Sequence, residues 1–283
     1  MDRCYLALDV GGTRLAAGIV DAAGRVLVRD RVATPPRDVW PALSRLALRV
    51  QAAAPMPPAG CGIGCAGPVD PQQGTVSPLH IPSLHDFALR TEVESLTQLP
   101  TVLGTEGKAL VLGEAWCGAA AGQTDFVGVV MGTAVGGAVM SEGRVLGGQH
   151  GNAGSIGHVV VEPDGRPCTC GGLGCLDGYC GGRAIEHETG RPPQRSPQAI
   201  VDRTGMLVGR AISSLAALCD LRLAVIGGSL AFGFGASFFD AAQAEASQRS
   251  RLSFTQGVTV VPAGLGPSAP LVGAAALVRA QLG

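Results

Sequence analysis

Residues 9–27 read DVGGTRLAAGIVDAAGRVL, and residues 130–146 read VMGTAVGGAVMSEGRVL. Each is an apolar run, a glycine–threonine turn, a second apolar run, a polar turn, and then the same four letters, GRVL. The first copy predicts a hairpin, with strands at 4–10 (CYLALDV) and 15–20 (LAAGIV) and a turn that relies on glycine conformations. The second predicts the same hairpin over 126–146. Two copies in one chain point to a duplicated, two-part fold with a cleft between the parts. The competing explanation is chance recurrence of glycine turns in a chain with 43 glycines.

Working outward, VLVRDRVAT (26–34) predicts a third strand. WPALSRLALRVQAAA (40–54) carries apolar residues at helical spacing after Pro35-Pro36. CGIGCAGPVD (61–70) is a strand entering a Gly/Pro turn. The run LPTVLGTEGKALVLGEAW (99–116) is apolar except for Thr105-Glu106-Gly107-Lys108, which stands at the end of a predicted buried strand. GEAWCGAAAG (113–122) predicts a helix ending at glycine. LRLAVIGGSLAFGFG (221–235) is a strand opening into another glycine turn. VTVVPAGLG (258–266) is a strand, and PLVGAAALVRAQL (270–282) is a closing helix. Strands alternating with helical segments indicate an α/β class.

The chain of 283 residues is 46% apolar and 15% charged, with a formal net charge of −1, which allows a large core and argues against disorder. No basic block marks a nucleic-acid footprint, and no apolar run reaches the ~18 residues that span a bilayer. The first residues, MDRCYLALDVGG, are interrupted too soon for a signal peptide. These features predict a cytoplasmic protein with neither nucleic-acid nor membrane partners. Four of the nine cysteines fall within residues 168–180, a clustering that speaks for metal rather than a disulfide framework.

The clustered cysteines carry the most specific signal. His158, Cys168, Cys170 and Cys175 supply one imidazole and three thiolates, a set that suits tetrahedral Zn²⁺. A full protein ligand set leaves no open coordination position, so such a zinc is structural. A chance cluster in a free-thiol loop is the alternative, and Cys180 lies beyond the compact loop. The turns at 9–13, 132–137 and 226–229 each place backbone N–H groups at a strand end. Gly11, Gly12, Thr13, Gly132, Thr133, Gly227 and Gly228 are therefore candidates to cradle phosphate. None of these turns has the P-loop or dinucleotide fingerprint. Asp9 fits either a partner for a Mg²⁺-bound water or a turn-stabilising carboxylate.

The pieces DVGGTRLAAGIVD, GIGCAGPVD, LGEAW, GTAVGGAV, GNAGSIGHVVVEPDGRPCTCGGLGCLDGYCGG and VIGGSLA occur in the order found in the ROK family of repressors, open reading frames and sugar kinases. The chain resembles that family over most of residues 4–277. The resemblance implies an α/β, two-lobed actin-like sugar-kinase fold, a duplicated ribonuclease H-like unit with ATP in the interlobe cleft and a hexose-type substrate beside it. It implies lobes at 1–112 with 271–283 and at 113–270, the second carrying the zinc loop 157–176. Repressor members precede the first glycine motif with a DNA-binding helix-turn-helix; here that motif starts at residue 9 and leaves no room for one. Family members are commonly dimers or tetramers, so a homo-oligomer is expected.

The departures from the family pattern bear on activity. Glu106 stands where family kinases have the aspartate that takes the sugar hydroxyl's proton, and it is the expected catalytic base. Thr105 replaces a sugar-contacting asparagine, and Lys108 a second one. Ser155 stands for a glutamate that binds sugar hydroxyls, Asp177 stands for another, and His158 is unchanged. Ala134 replaces a common glycine, and the segment after Arg183 is short and proline-rich. A lysine facing solvent is the plain expectation for Lys108; one facing substrate would favour an anionic group. Two functions follow. One is a Mg-ATP-dependent kinase for a hydroxyl of a sugar or sugar-like polyol. The other is a catalytically inactive protein of this family that binds a sugar, phosphosugar or nucleotide as a sensor or partner.

Overall fold

The computed structural model describes residues 3–282. Met1, Asp2 and Gly283, which belong to the expected first lobe, lie outside the described residues. The chain divides into two compact units. The first runs to Ala121, with Gly147–Ala153 and the chain from Ser268 on; the second is Gly122–Leu146 with Gly154–Pro267.

The first unit is built on a five-stranded sheet. Strands β1 (Cys4–Val10), β2 (Arg14–Asp21) and β3 (Val26–Ala33) form an antiparallel meander. β4 (Cys61–Cys65) pairs parallel to β1, and β7 (Thr101–Thr105) pairs parallel to β4, giving the order β3-β2-β1-β4-β7. Central β4, CGIGC, is buried at every residue. Edge strand β3, VLVRDRVA, alternates half-buried and exposed residues, and its exposed charges suit an edge that must stay unpaired. A short ribbon of β5 (Val69–Asp70) and β6 (Thr75–Val76) follows the cis Gly67-Pro68 bond. Helices α1 (Val39–Ala52), α2 (Leu89–Thr97), α3 (Glu106–Cys117) and the last helix of the chain, Ala269–Leu282, complete the unit.

The second unit repeats the plan. β8 (Phe126–Met131), β9 (Val135–Ser141) and β10 (Arg144–Val145) form the meander, and β11 (Leu223–Gly227) and β12 (Thr259–Pro262) add in parallel. The order is β10-β9-β8-β11-β12. The shared GRVL letters open the third strand of each meander. The turn before each uses a left-handed glycine, Gly24 at φ 82° and Gly143 at φ 73°. Helices α4 (Asp177–Cys180), α5 (Gly182–Thr189), α6 (Gln198–Cys219), α7 (Ser229–Phe234) and α8 (Ala236–Arg249) belong to this unit; the closing helix of the first unit is α9. Each unit has its own core, around Leu6, Leu8, Leu43 and Ile63 in one and Val127, Val129, Ile212 and Phe238 in the other. Among the described residues, no helix is long and apolar enough to cross a membrane.

Two local expectations change. Neither Gly11 nor Gly12 adopts a positive φ; the first hairpin closes through the Gly11 N–H, which donates to the Arg14 carbonyl at 3.0 Å. Helix α3 begins at Glu106 rather than near 113. Thr105 supplies the N-cap, its hydroxyl accepting the Lys108 N–H at 3.2 Å, so the polar interruption at the strand end is also the start of the helix.

Candidate active site and metal centre

In the first unit, parallel strands β1, β4 and β7 end together. Asp9 pairs in register with Gly64, and Cys65 with Thr105. This carboxyl edge of parallel strands is where open α/β sheets bind ligands. Two carboxylates stand at it. Asp9 closes β1; burial raises its pKa to about 7 against the opposing pull of Arg14. Glu106 is the first residue of α3, where the helix dipole favours a negative charge. The fully buried Cys65 lies near both: burial raises its pKa, and the charges of Glu106 and then Asp9 raise it further.

Thr105, a candidate substrate ligand, is engaged as the cap of α3. Lys108 is not a free surface cation. Its ammonium donates to the Gly151 carbonyl at 2.7 Å, and burial lowers its pKa. The Gly147–Ala153 segment is fastened a second time by Asn152. That side chain accepts the Val69 N–H at 3.0 Å and donates to the Val69 and His150 carbonyls, each at 2.8 Å. The Gly11–Thr13 turn is pinned by Thr34, whose hydroxyl donates to the Gly11 carbonyl at 2.7 Å and whose N–H donates to that of Thr13 at 3.1 Å.

In the second unit, Gly132 and Thr133 follow β8, and Gly227 and Gly228 end β11, again at the carboxyl edge of parallel strands. The carbonyls of Gly132 and Thr133 accept the N–H groups of Gly182 and Arg183 at 2.9 and 3.1 Å, so α5 starts against the turn. Gly228 has φ 100°, and a Cβ there would sit 2.1 Å from the Met131 carbonyl oxygen. That position requires glycine for reasons of backbone alone. Asp177, at the start of α4, is buried, and one of its oxygens accepts the Val135 N–H at 2.6 Å. Ser155 is exposed, directly before the short 3₁₀ turn that carries His158.

His158, Cys168, Cys170 and Cys175 converge, their ligand atoms all lying within 4.8 Å of one another. The Cys168 sulfur is 3.8 Å from His158 Nδ1, and the Cys170 and Cys175 sulfurs are 3.8 Å apart. A tetrahedral cation with metal–sulfur bonds of about 2.3 Å separates its sulfurs by about 3.8 Å. Burial pushes the Cys175 thiol up to about 12, whereas the backbone around Gly172 lowers Cys170. Sulfurs this close cannot all ionise unless a cation lies among them. Left-handed Gly174 (φ 72°) allows the turn into Cys175; a Cβ there would lie 1.9 Å from the Glu162 carbonyl oxygen. Cys180 is elsewhere, its thiol donating to the Thr204 carbonyl.

Lys108, Asn152 and Glu114 were not legible as structural ties. Glu114 is fully buried in α3 and accepts the Ala119 N–H at 2.6 Å. Its signal in the sequence is a carboxylate inside the apolar run ALVLGEAW.

A family model described as "ROK family" matches residues 5–281. The N-acetylmannosamine kinase of Escherichia fergusonii is 31% identical, over 81% of this chain and 84% of that protein. Among solved structures, a ROK hexokinase from Thermus thermophilus is 31% identical, with a TM-score of 0.83 and all of both chains covered. A ROK family glucokinase from Streptomyces griseus, in complex with glucose and AMPPNP, is 28% identical. Its TM-score is 0.85, with 98% of this chain and 99% of that one covered.

Proposed function

The chain belongs to the ROK family, and from that premise we propose that it is an ATP-dependent kinase for a hydroxyl of a sugar or sugar-like polyol. Its similarity to sugar kinases, one of them bound to glucose and AMPPNP, supports the class of reaction and the donor. The observation that carries the reading is the pair of carboxylates, Asp9 and Glu106, at the carboxyl edge of parallel strands β1 and β7.

In this reading Glu106 accepts the proton of the attacking hydroxyl. The oxygen forms a bond to the γ-phosphorus, the bond to the bridging oxygen breaks, and ADP leaves. Asp9 would help hold a Mg²⁺, which would supply positive charge beside the phosphates. Burial raises the Asp9 pKa to about 7, so the group sits at the border of ionisation near neutral pH. Backbone donors of the 11–13, 132–133 and 227–228 turns hold phosphate oxygens. Thr105, Ser155, His158 and Asp177 shape the sugar side. Glu106 is one methylene longer than the family's aspartate, and Asp177 one shorter than its glutamate. An offset of about 1 Å costs on the order of 10²-fold in rate, so the pocket suits a substrate other than an unmodified hexose. His158, Cys168, Cys170 and Cys175 hold a structural Zn²⁺, which fits both the donor set and the sulfur spacing. The enzyme is proposed to work in the cytoplasm as a homo-oligomer.

The test is ADP release with Mg²⁺ and ATP against hexoses, hexosamines, acetylated hexosamines and cyclitols, with Glu106→Gln in parallel. Polyol-dependent turnover that falls by about 10²–10⁴-fold in the variant is expected of a general base. Turnover no higher than that of Glu106→Gln with every compound would replace the kinase with the second reading, a binding protein whose ligand raises its melting temperature without reaction.

A further inference from the structure

We infer that Arg166, Tyr179, Glu188 and Arg203 form an outer shell that holds the cysteine loop in its ligating shape. This rests on the zinc reading of that loop.

Residues 163–167 lead into Cys168 through a turn, with Asp164 at φ 56°, and a single isolated bridge from Pro167 to Leu173. A segment of this kind would let the thiols splay unless something fixed it. Arg166 is fixed at every polar group. Its N–H donates to the Tyr179 hydroxyl at 2.8 Å. Its carbonyl accepts the Gly174 N–H at 2.9 Å, which ties the stretch before Cys168 to the residue before Cys175. Its guanidinium is bidentate on Glu188, at 2.7 and 3.0 Å, and lies 4.8 Å from the centroid of the Tyr179 ring.

Glu188 is held from the other side as well. Arg203 of α6 donates to both of its oxygens at 2.6 Å. One carboxylate on α5 therefore receives two guanidinium forks, one from the loop and one from the long helix α6. An isolated surface ion pair contributes little. Two bidentate forks on one carboxylate are the stronger, geometry-defining case. Tyr179 adds a link to α4, which also carries Asp177. The loop is thus anchored to α4, α5 and α6 by groups that touch no sulfur. Groups bonded directly to metal ligands typically change metal affinity 10–100-fold when removed, and loss of this frame, which sets where the ligands stand, is expected to act on the same scale.

The experiment compares the purified, full-length protein with Glu188→Gln, Tyr179→Phe and Arg166→Lys. Zinc content is measured first. Affinity and release rate are then read by competition with a chromogenic zinc chelator, and folding is checked by circular dichroism. Arg249→Gln, which removes an ion pair with Glu245 on α8, is the control for loss of a surface charge pair. The expected result is stoichiometric zinc in the parent and control, with affinity 10–100-fold lower in Glu188→Gln. If that variant does not fold, the smaller changes Tyr179→Phe and Arg166→Lys decide the matter by the same criterion. Folded variants that hold zinc as tightly as the parent would overturn the outer shell and leave the zinc reading standing. A parent that purifies without zinc, and takes up none when it is supplied, would overturn both.

Discussion

At the residue scale the informative groups are charged side chains placed against apolar surroundings. Asp9 is the clearest. Its folded pKa of about 7 lies above the ordinary carboxylate value of 3.8, so the native protein keeps that proton to higher pH than the unfolded chain. Stability from this group is full below about pH 4, falls as pH rises towards 7, and is flat above. Asp9→Asn removes the penalty. At pH 8 the metal-free variant is expected to be more stable by up to a few kcal/mol, measured by urea denaturation, while turnover collapses. An unchanged or lower stability would show that the carboxyl is compensated. Lys108 is the opposite case. Its bond to the Gly151 carbonyl predicts that Lys108→Met loosens the 147–153 segment and costs about 1–2 kcal/mol. Hydrogen exchange at Gly151 and Asn152 would register the change.

At the scale of elements, α9 shows how the first unit is closed. The helix lies directly on β4, and a Cβ at Gly62 would fall 1.8 Å from the Ala274 carbonyl oxygen. Backbone meets backbone there, so no rotamer change can relieve it. Gly62→Ala is expected to destabilise the protein by about 3 kcal/mol or more, seen as a lower urea midpoint. The proline-rich stretch after Arg183 is a second case. There α5 ends at Thr189 with Gly190 as its left-handed C-cap, and α6 begins at Gln198. Glu188 lies in that short α5, and its two arginines, Arg203 first and then Arg166, hold its pKa at about 2 instead of 4.5. The resulting stability is present above pH 4.5 and is lost as pH falls towards 2; solvent screening at this exposed carboxylate holds it to about 1 kcal/mol. Acid unfolding of Glu188→Gln should lose that part of the slope.

At the scale of the whole molecule the repeated sheet has a consequence for stability. His158, Cys168, Cys170 and Cys175, the candidate metal ligands, all belong to the second unit, and each unit carries a separate core. Removal of zinc by a chelator is therefore expected to lower hydrogen-exchange protection in residues 154–181 and along α6. The β1–β4 sheet should stay protected. Equal loss in both units would mean that their stabilities are coupled.

The repeated hairpin, the α/β class and the grouping of His158 with Cys168, Cys170 and Cys175 were written in the letters alone. These are local signals, written in period-two apolar runs, glycine turns and closely spaced cysteines, which short-range sterics and metal geometry read directly. The sequence also placed Glu106 beside a strand end. The tertiary structure alone decided that this residue opens a helix, that Lys108 and Asn152 fasten a distant segment, and that Gly62 is reserved for α9. It alone decided, too, that Arg166 and Arg203 meet on Glu188. Apart from the helix start at Glu106, each of these joins residues far apart in the chain, by hydrogen bonds or close backbone contact. Any polar side chain can satisfy such a bond with water until folding takes the water away. The letters name the donors and acceptors, and the fold selects which of them meet.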